Sequence, residues 1–235
     1  MFKKIIANIP NTITCLNLLS GAMAVILSFH LSETFCGMPA LALAFIFIGA
    51  AAVFDFCDGA AARLLRAYSA LGKELDSLSD LVSFGLAPAM LVFNSMQVYG
   101  CGAWSFAALF IPAMGALRLA KFNIDDRQTT SFLGLPIPAN AIFWVGALAW
   151  VDSHVFPPVW VMLVLIAATG LLMVSNIPMF SLKFKNFALR ENLRRYVLII
   201  ATIIFVVCEG VAGLAWTILF YLVLSLVPER KAVED

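Results

Sequence analysis

The sequence predicts an all-α protein, a polytopic transmembrane helical bundle with about eight spans and both termini in the cytoplasm. Three observations support this prediction: the composition, the lengths of the apolar stretches and the placement of the basic residues. Hydrophobic residues make up 63% of the 235 residues and charged residues 12%, with a mean hydropathy of +0.98. A soluble domain is about 45–50% apolar and about 25% charged, so this chain has too little polar surface for a water-exposed globule. The net charge of +1 gives no reason to expect a nucleic-acid partner.

Eight apolar stretches approach the roughly 20 residues that a membrane-spanning helix needs. They are long and continuous, which favours helices over the alternating pattern of barrel strands. The seventh and eighth are separated only at Glu209-Gly210 and can form one helical hairpin. The predicted spans are 13–30, 39–60, 77–97, 102–121, 136–152, 157–175, 193–208 and 210–227.

The basic residues predict the orientation of the bundle. With these spans, all fifteen Lys and Arg fall on one side of the membrane. Under the positive-inside rule that side is the cytoplasm. We therefore expect an integral protein of the inner cell membrane whose termini and charged loops face inward.

No feature of the sequence divides the chain into separate domains. It contains no tandem repeat, no low-complexity segment and no linker long enough to separate domains, which predicts a single membrane domain over residues 1–235. We expect Pro10-Asn11-Thr12 to end a short interfacial helix before the first span.

Four aspartates near the second and third spans form the main candidate site. Asp55 and Asp58 end the second span, and Asp76 and Asp80 begin the third. Their spacings of three and four residues place each pair on one helix face, and the antiparallel course of the spans predicts that the pairs face one another at the cytoplasmic boundary. Four close carboxylates need counter-charge, and Mg²⁺ or Mn²⁺ suits an all-oxygen site. Two such ions about 3.5–4 Å apart can bridge a diphosphate.

Small residues and one cation lie between the two aspartate pairs. Gly59 and Ala62 keep the helix surface small, so that a ligand can approach closely. Arg63 offers a planar cation suited to phosphate oxygens, and Gly72 can let the chain turn into the third helix. A carboxylate-based ion transporter is the alternative from a different class, although transporter sites usually lie near the membrane midplane.

The spacing of these residues resembles the signature of the CDP-alcohol phosphotransferases. The pattern Asp55-x2-Asp58-Gly59-x2-Ala62-Arg63-x8-Gly72-x3-Asp76-x3-Asp80 matches it without a departure over residues 55–80. The segment Pro10-Asn11-x2-Thr14-x2-Asn17 looks like the one that precedes the first helix in this family. Segments 118–123, 132–139 and 175–178 look like its membrane-type branch of CDP-diacylglycerol–serine O-phosphatidyltransferases.

The resemblance implies transfer of a phosphatidyl group from CDP-diacylglycerol to the hydroxyl of L-serine, with release of CMP. The positions matching Asp55, Asp58 and Asp76 would then ligate two divalent ions, Mg²⁺ or Mn²⁺. Asp80 would either ligate the second ion or take the proton from the incoming hydroxyl. The positions that would shape the cytidine-diphosphate pocket are Gly59, Ala62, Arg63 and Gly72. The family expectation is a homodimer surrounded by membrane lipid.

The residues by themselves leave the acceptor alcohol open. Arg118, Lys121 and Asn123 end the fourth span and can bind the carboxylate of serine, but the two cations can equally be membrane anchors. Glycerol 3-phosphate or inositol phosphate is the alternative acceptor and needs a stronger cationic cluster. The residues that could form that cluster are Lys183, Lys185 and Arg190.

Two polar residues of the first span complete the candidate set. Thr14 and Asn17 share a helix face and can either contact the CDP-diacylglycerol donor or bridge helices through hydrogen bonds. The sequence also leaves open whether serine attacks directly or a phosphatidyl-enzyme intermediate forms.

Overall fold

The structure is a computed structural model that describes residues 2–124, 132–180, 182 and 188–227, most of which are helical. The helices are α1 (Phe2–Ser28), α2 (Ala40–Leu64), α3 (Ala70–Asp80), α4 (Ala87–Val98), α5 (Phe110–Ile124), α6 (Ile137–Ser153), α7 (Val159–Val174), α8 (Leu189–Glu209) and α9 (Gly213–Leu226).

Short non-α segments connect several of these helices. A π-helical segment, Leu81–Leu86, joins α3 to α4 in one continuous helical rod. The 3₁₀ segments Gly102–Leu109 and Gly210–Ala212 lead into α5 and α9. Two antiparallel ribbons of two-residue strands complete the described fold. The first pairs β1 (Thr34–Phe35) with β2 (Met38–Pro39), and the second pairs β3 (Phe132–Leu133) with β4 (Pro178–Met179).

Each of the eight predicted apolar stretches falls on a helical part of the structure. Among the residues that the structure describes, five helical segments are long and apolar enough to cross a membrane, which makes the chain an integral membrane protein: Asn8–Ser28, Ala40–Leu64, Ala70–Val98, Gly102–Ile124 and Asn192–Leu226. The last of these contains α8 and α9, which are separated at Gly210 with a φ of +59° and pack against each other. The count of eight spans and the cytoplasmic position of the termini stay predictions.

Three local predictions about helix ends were wrong. Helix α1 runs through Pro10 because a proline inside a membrane helix is tolerated where neighbouring groups hold the helix. Helix α2 ends at Leu64, four residues beyond the predicted end of the second span at residue 60. Gly72 does not make the turn that precedes α3, because it already lies in the first turn of this helix.

The turn before α3 is made by other residues. Arg66 has a φ of +51°, and Ser69 is the N-cap of α3, where its side chain accepts a hydrogen bond from the Gly72 backbone N–H at 2.9 Å. A serine at this position satisfies one of the free N–H groups at a helix start. Asp76 and Asp80 therefore lie inside the continuous helical rod that begins at Ala70.

Helix α1 packs along α2 and against the rod formed by α3, the π-helical segment and α4. The two elements approach closely at Gly21, where an added Cβ would lie 2.5 Å from the Cα of Ser83. Small residues permit such close packing between membrane helices. This packing brings the polar side chains of α1 against the aspartates of α2 and α3.

Candidate active site

Three of the four predicted aspartates converge. Asp55 of α2 and Asp76 and Asp80 of α3 each offer a carboxylate oxygen, and these three oxygens lie within 4.8 Å of one another. The spacings of three and four residues place the carboxylates on the facing sides of the two helices. Of the first predicted pair, Asp55 therefore lies opposite Asp76 and Asp80.

The fourth aspartate faces the first helix. Asp58 is buried, and its Oδ2 accepts a hydrogen bond from the hydroxyl of Thr14 at 2.6 Å. Asp80 is also in contact with α1, because its Oδ1 accepts a hydrogen bond from the side-chain amide of Asn17 at 3.2 Å. The two polar residues of α1 therefore each contact one aspartate of the quartet.

The carboxylate cluster fits a divalent cation. Three acidic oxygens at this spacing repel one another unless a positive charge lies between them. Asp76 Oδ1 is buried and has no hydrogen-bond partner within the described part of the chain. Hard divalent cations take oxygen ligands of this kind.

A cleft of about 230 Å³ opens beside the carboxylates. Its walls come from the first half of α1, the end of α2, the turn that follows and the start of α3. The lining residues are Pro10, Asn11, Thr14, Asp58, Gly59, Ala62, Ala67, Tyr68, Ser69, Gly72, Lys73 and Asp76. Two aspartates of the quartet are thus part of the wall.

Most of the predicted pocket residues line this cleft, with one exception. Gly59 and Ala62 lie on its α2 side, and an added Cβ at Gly59 would meet no atom within 4 Å. Gly72 lies on the α3 side, where an added Cβ would be 3.0 Å from Asn11 Oδ1. Arg63 is exposed in the last turn of α2 and lies outside this lining.

Sequence reasoning missed several residues of the cleft. Asn11 stands in the Pro10-Asn11 segment that carried part of the family resemblance, and this was a usable signal. Lys73 lies three residues before Asp76 and so on the same face of α3, and this spacing was a second usable signal. Tyr68 and Ser69 belong to the turn, and no periodic pattern marks them.

The three predicted acceptor residues do not converge. Arg118 is buried, its Nε has no partner within the described residues, and its guanidinium lies within electrostatic range of Asp80 and of Tyr221 on α9. Lys121 instead donates to the backbone carbonyl of Val174, at the end of α7, at 3.0 Å. The side-chain amide of Asn123 donates to the hydroxyl of Ser77 at 2.9 Å.

The two later segments that resemble the serine branch are paired with each other. They form the β3–β4 ribbon, and the Gly134 N–H donates to the Ile177 carbonyl at 2.9 Å. The Tyr221 hydroxyl donates to the Phe180 carbonyl at 3.0 Å, just after β4. The ribbon thereby links α6, α7 and α9 next to the end of α5. The alternative cationic cluster of Lys183, Lys185 and Arg190 falls on residues or side chains that the structure does not describe.

The fold and the site together define a class of protein: an integral membrane protein with a carboxylate cluster suited to a divalent cation and a cleft beside it. Residues 7–175 match the family model described as CDP-alcohol phosphatidyltransferase. The chain belongs to this family. The resemblance seen in the aspartate signature is therefore confirmed.

Known relatives extend this similarity. The chain is 38% identical over 182 residues to the CDP-diacylglycerol–serine O-phosphatidyltransferase of Bacillus subtilis. This match spans 76% of the chain and 90% of the relative. It is 35% identical over 172 residues to the protein of the same name from Methanocaldococcus jannaschii, covering 73% of each. It is 36% identical over 186 residues to that of Mycobacterium leprae, covering 73% of this chain and 57% of the relative. The chain thus matches little more than half the length of the mycobacterial protein.

Proposed function

We propose that this protein transfers the phosphatidyl group of CDP-diacylglycerol to the hydroxyl of L-serine and releases CMP. The observation that carries the proposal is the position of the carboxylate cluster beside a cleft built from the family signature. The relatives described above carry the name of this activity. Membership in an enzyme family favours this interpretation over an ion transporter.

The cleft is the proposed site of the nucleotide head of the donor. Gly59, Ala62 and Gly72 leave room along the walls, as a diphosphate next to two helices requires. Lys73 lines the same cleft and offers an ammonium group for phosphate oxygens. Arg63 is proposed to act from the exposed end of α2. The acyl chains then remain in the surrounding lipid.

Asp55, Asp58, Asp76 and Asp80 are the proposed ligands of Mg²⁺ or Mn²⁺, with two ions as the expected number. Bound cations of this kind reduce the negative charge on a diphosphate and stabilise a departing phosphate oxygen. Thr14 holds Asp58 in place through the 2.6 Å hydrogen bond. Asp76 Oδ1, which is buried and has no hydrogen-bond partner among the described residues, is proposed as a further ligand atom.

Asp80 is the proposed proton acceptor for the serine hydroxyl. The serine oxygen forms a bond to the phosphorus of the lipid phosphate, the bond from that phosphorus to the CMP oxygen breaks, and the hydroxyl proton passes to the carboxylate. Arg118 lies within electrostatic range of Asp80, and its buried Nε has no partner among the described residues, so we assign it to the serine carboxylate. Lys121 and Asn123 are proposed to support this region from their contacts with α7 and α3.

The proposed orientation places the site at the cytoplasmic face of the inner membrane. The support is the sequence pattern in which all fifteen basic residues lie on one side of the spans. A single membrane domain that includes α8 and α9 is supported by the packing of α9 against α6. A homodimer remains a proposal from the family.

The experiment that tests the acceptor measures CMP release by the purified protein in detergent. CDP-diacylglycerol is supplied with L-serine, glycerol 3-phosphate or inositol phosphate in separate reactions. Release with serine alone supports the proposal, whereas release with glycerol 3-phosphate and not with serine contradicts it. Asp80→Asn should retain metal-dependent donor binding better than Asp55→Asn does. An equal loss of metal-dependent donor binding in both variants would indicate that Asp80 acts mainly as a metal ligand.

A further inference from the structure

The side chain of Asn17 joins the first helix to Asp80. Asn17 is fully buried, and its amide nitrogen donates to Asp80 Oδ1 at 3.2 Å. A carboxylate in its ionised form only accepts hydrogen bonds, so this contact determines which way the amide faces. The Asn17 Oδ1 is left buried and without a partner within the described residues.

The backbone of Asn17 is held at the same place. The Ser83 hydroxyl donates to the Asn17 carbonyl at 2.9 Å, and Ser83 belongs to the π-helical segment that begins directly after Asp80. The close approach between Gly21 and Ser83 fixes α1 against this segment. Segments of π-helix often occur at functional sites. Asn17 and Asp80 therefore have little freedom to move relative to each other.

We propose that Asn17 is a positioning residue for Asp80 and not a contact for the donor. Its amide occupies one carboxylate oxygen and fixes the rotation of the carboxylate, so that Asp80 is presented to Asp55 and Asp76 in one orientation. Groups that hydrogen-bond to metal-ligating carboxylates orient them in this way. The inference rests on the proposed function, because it assigns Asp80 to the reacting centre.

The structure offers a control for the alternative that Asn17 merely stabilises the helix bundle. The Asn94 amide on α4 donates to the Ser28 hydroxyl on α1 at 3.0 Å. This contact joins α1 to the same helical rod, eleven residues further along α1, and involves none of the four aspartates. Asn94→Ala therefore removes an asparagine bridge between the same two elements without touching the site.

The test compares Asn17→Ala with Asn94→Ala in phosphatidylcholine nanodiscs that contain no CDP-diacylglycerol. Mn²⁺ binding is measured from the paramagnetic resonance signal of the free ion, and thermal unfolding is measured without metal. We expect Asn17→Ala to weaken Mn²⁺ binding about 10-fold or more, and Asn94→Ala to leave it unchanged. Ser83→Ala keeps the Asn17 amide and is the second variant if Asn17→Ala does not fold. It should weaken Mn²⁺ binding in the same direction by a smaller factor.

Three outcomes would overturn the inference. The first is unchanged Mn²⁺ affinity in Asn17→Ala and in Ser83→Ala. The second is an equal loss of affinity and of thermal stability in Asn17→Ala and Asn94→Ala, which would make Asn17 a structural bridge. The third is weaker CDP-diacylglycerol binding by Asn17→Ala with intact Mn²⁺ binding, which would make Asn17 a donor contact. The proposed function fails separately, when the wild-type protein releases no CMP with serine.

Discussion

Gly59→Ala should stabilise the protein and at the same time impair its use of CDP-diacylglycerol. Gly59 lies inside α2, where alanine is favoured over glycine by about 1 kcal/mol, and an added Cβ would meet no atom within 4 Å. For a chain of this size, 1 kcal/mol corresponds to a rise of about 2–4 °C in the thermal midpoint. The same methyl group enters the cleft that Gly59 lines. A displacement of the donor by about 1 Å can lower the rate roughly 100-fold.

The assay follows CMP release at saturating serine while CDP-diacylglycerol is varied, together with thermal unfolding in the same detergent. Gly49→Ala is the matched control, because Gly49 lies in α2, also has open space around an added Cβ, and does not line the cleft. Both variants should gain stability, and Gly59→Ala alone should lose rate at low donor concentration. Wild-type donor kinetics in Gly59→Ala would refute the assignment of the cleft to the nucleotide.

Three further predictions address the hydrogen bond to Asp58, the metal and the ribbon. Thr14→Val removes a hydrogen bond to a charged group, worth about 1.5–3 kcal/mol, and should lower kcat/KM for the donor about 10- to 100-fold in initial-rate measurements. Thr12→Val, which removes a hydroxyl that donates to the Asn8 carbonyl within α1, is the control, and equal rates in the two variants would count against the role of Asp58. Exhaustive chelation should abolish CMP release and added Mg²⁺ or Mn²⁺ should restore it; full activity after chelation would exclude the metal proposal. Gly134→Ala should lower the free energy of unfolding by about 1–3 kcal/mol, because Gly134 has a φ of +73° and an added Cβ would lie 2.5 Å from a carbonyl oxygen of α7. Gly37→Ala, with a φ of +79° and open space, separates the backbone strain from the steric clash, and equal thermal midpoints for the two variants would contradict the clash.

The helical class was predictable because hydropathy is a local property. Long apolar stretches specify membrane helices wherever they occur in the chain, and each predicted stretch coincides with a helical segment. The helix ends were less predictable. The sequence predicted that a short helix ends at Pro10, whereas α1 continues through this residue. The turn before α3 depends on Arg66 and on the cap at Ser69, which no periodic pattern reveals.

The aspartate site was largely predictable, while its surroundings were not. Helical spacing alone places Asp55 and Asp58 on one face and Asp76 and Asp80 on another. The acceptor region depended on a loose grouping of residues at the end of the fourth span. In the structure Arg118 lies near Asp80, whereas Lys121 and Asn123 bond to α7 and α3. Arg118 and Asn123 are five residues apart and project from different faces of α5, and the long side chain of Lys121 reaches the end of α7, so proximity along the chain did not predict a shared site.

By itself, the sequence determined the membrane environment, the helical class, the aspartate quartet and its resemblance to a family. The tertiary structure decided which residues of α1 hold Asp58 and Asp80. Thr14 and Asp58 are 44 residues apart, and Asn17 and Asp80 are 63 apart. Composition and periodicity report on a window of one helix, whereas these hydrogen bonds depend on how α1 packs against two other helices. The packing depends on close contacts such as that between Gly21 and Ser83, which exist only once the chain has folded.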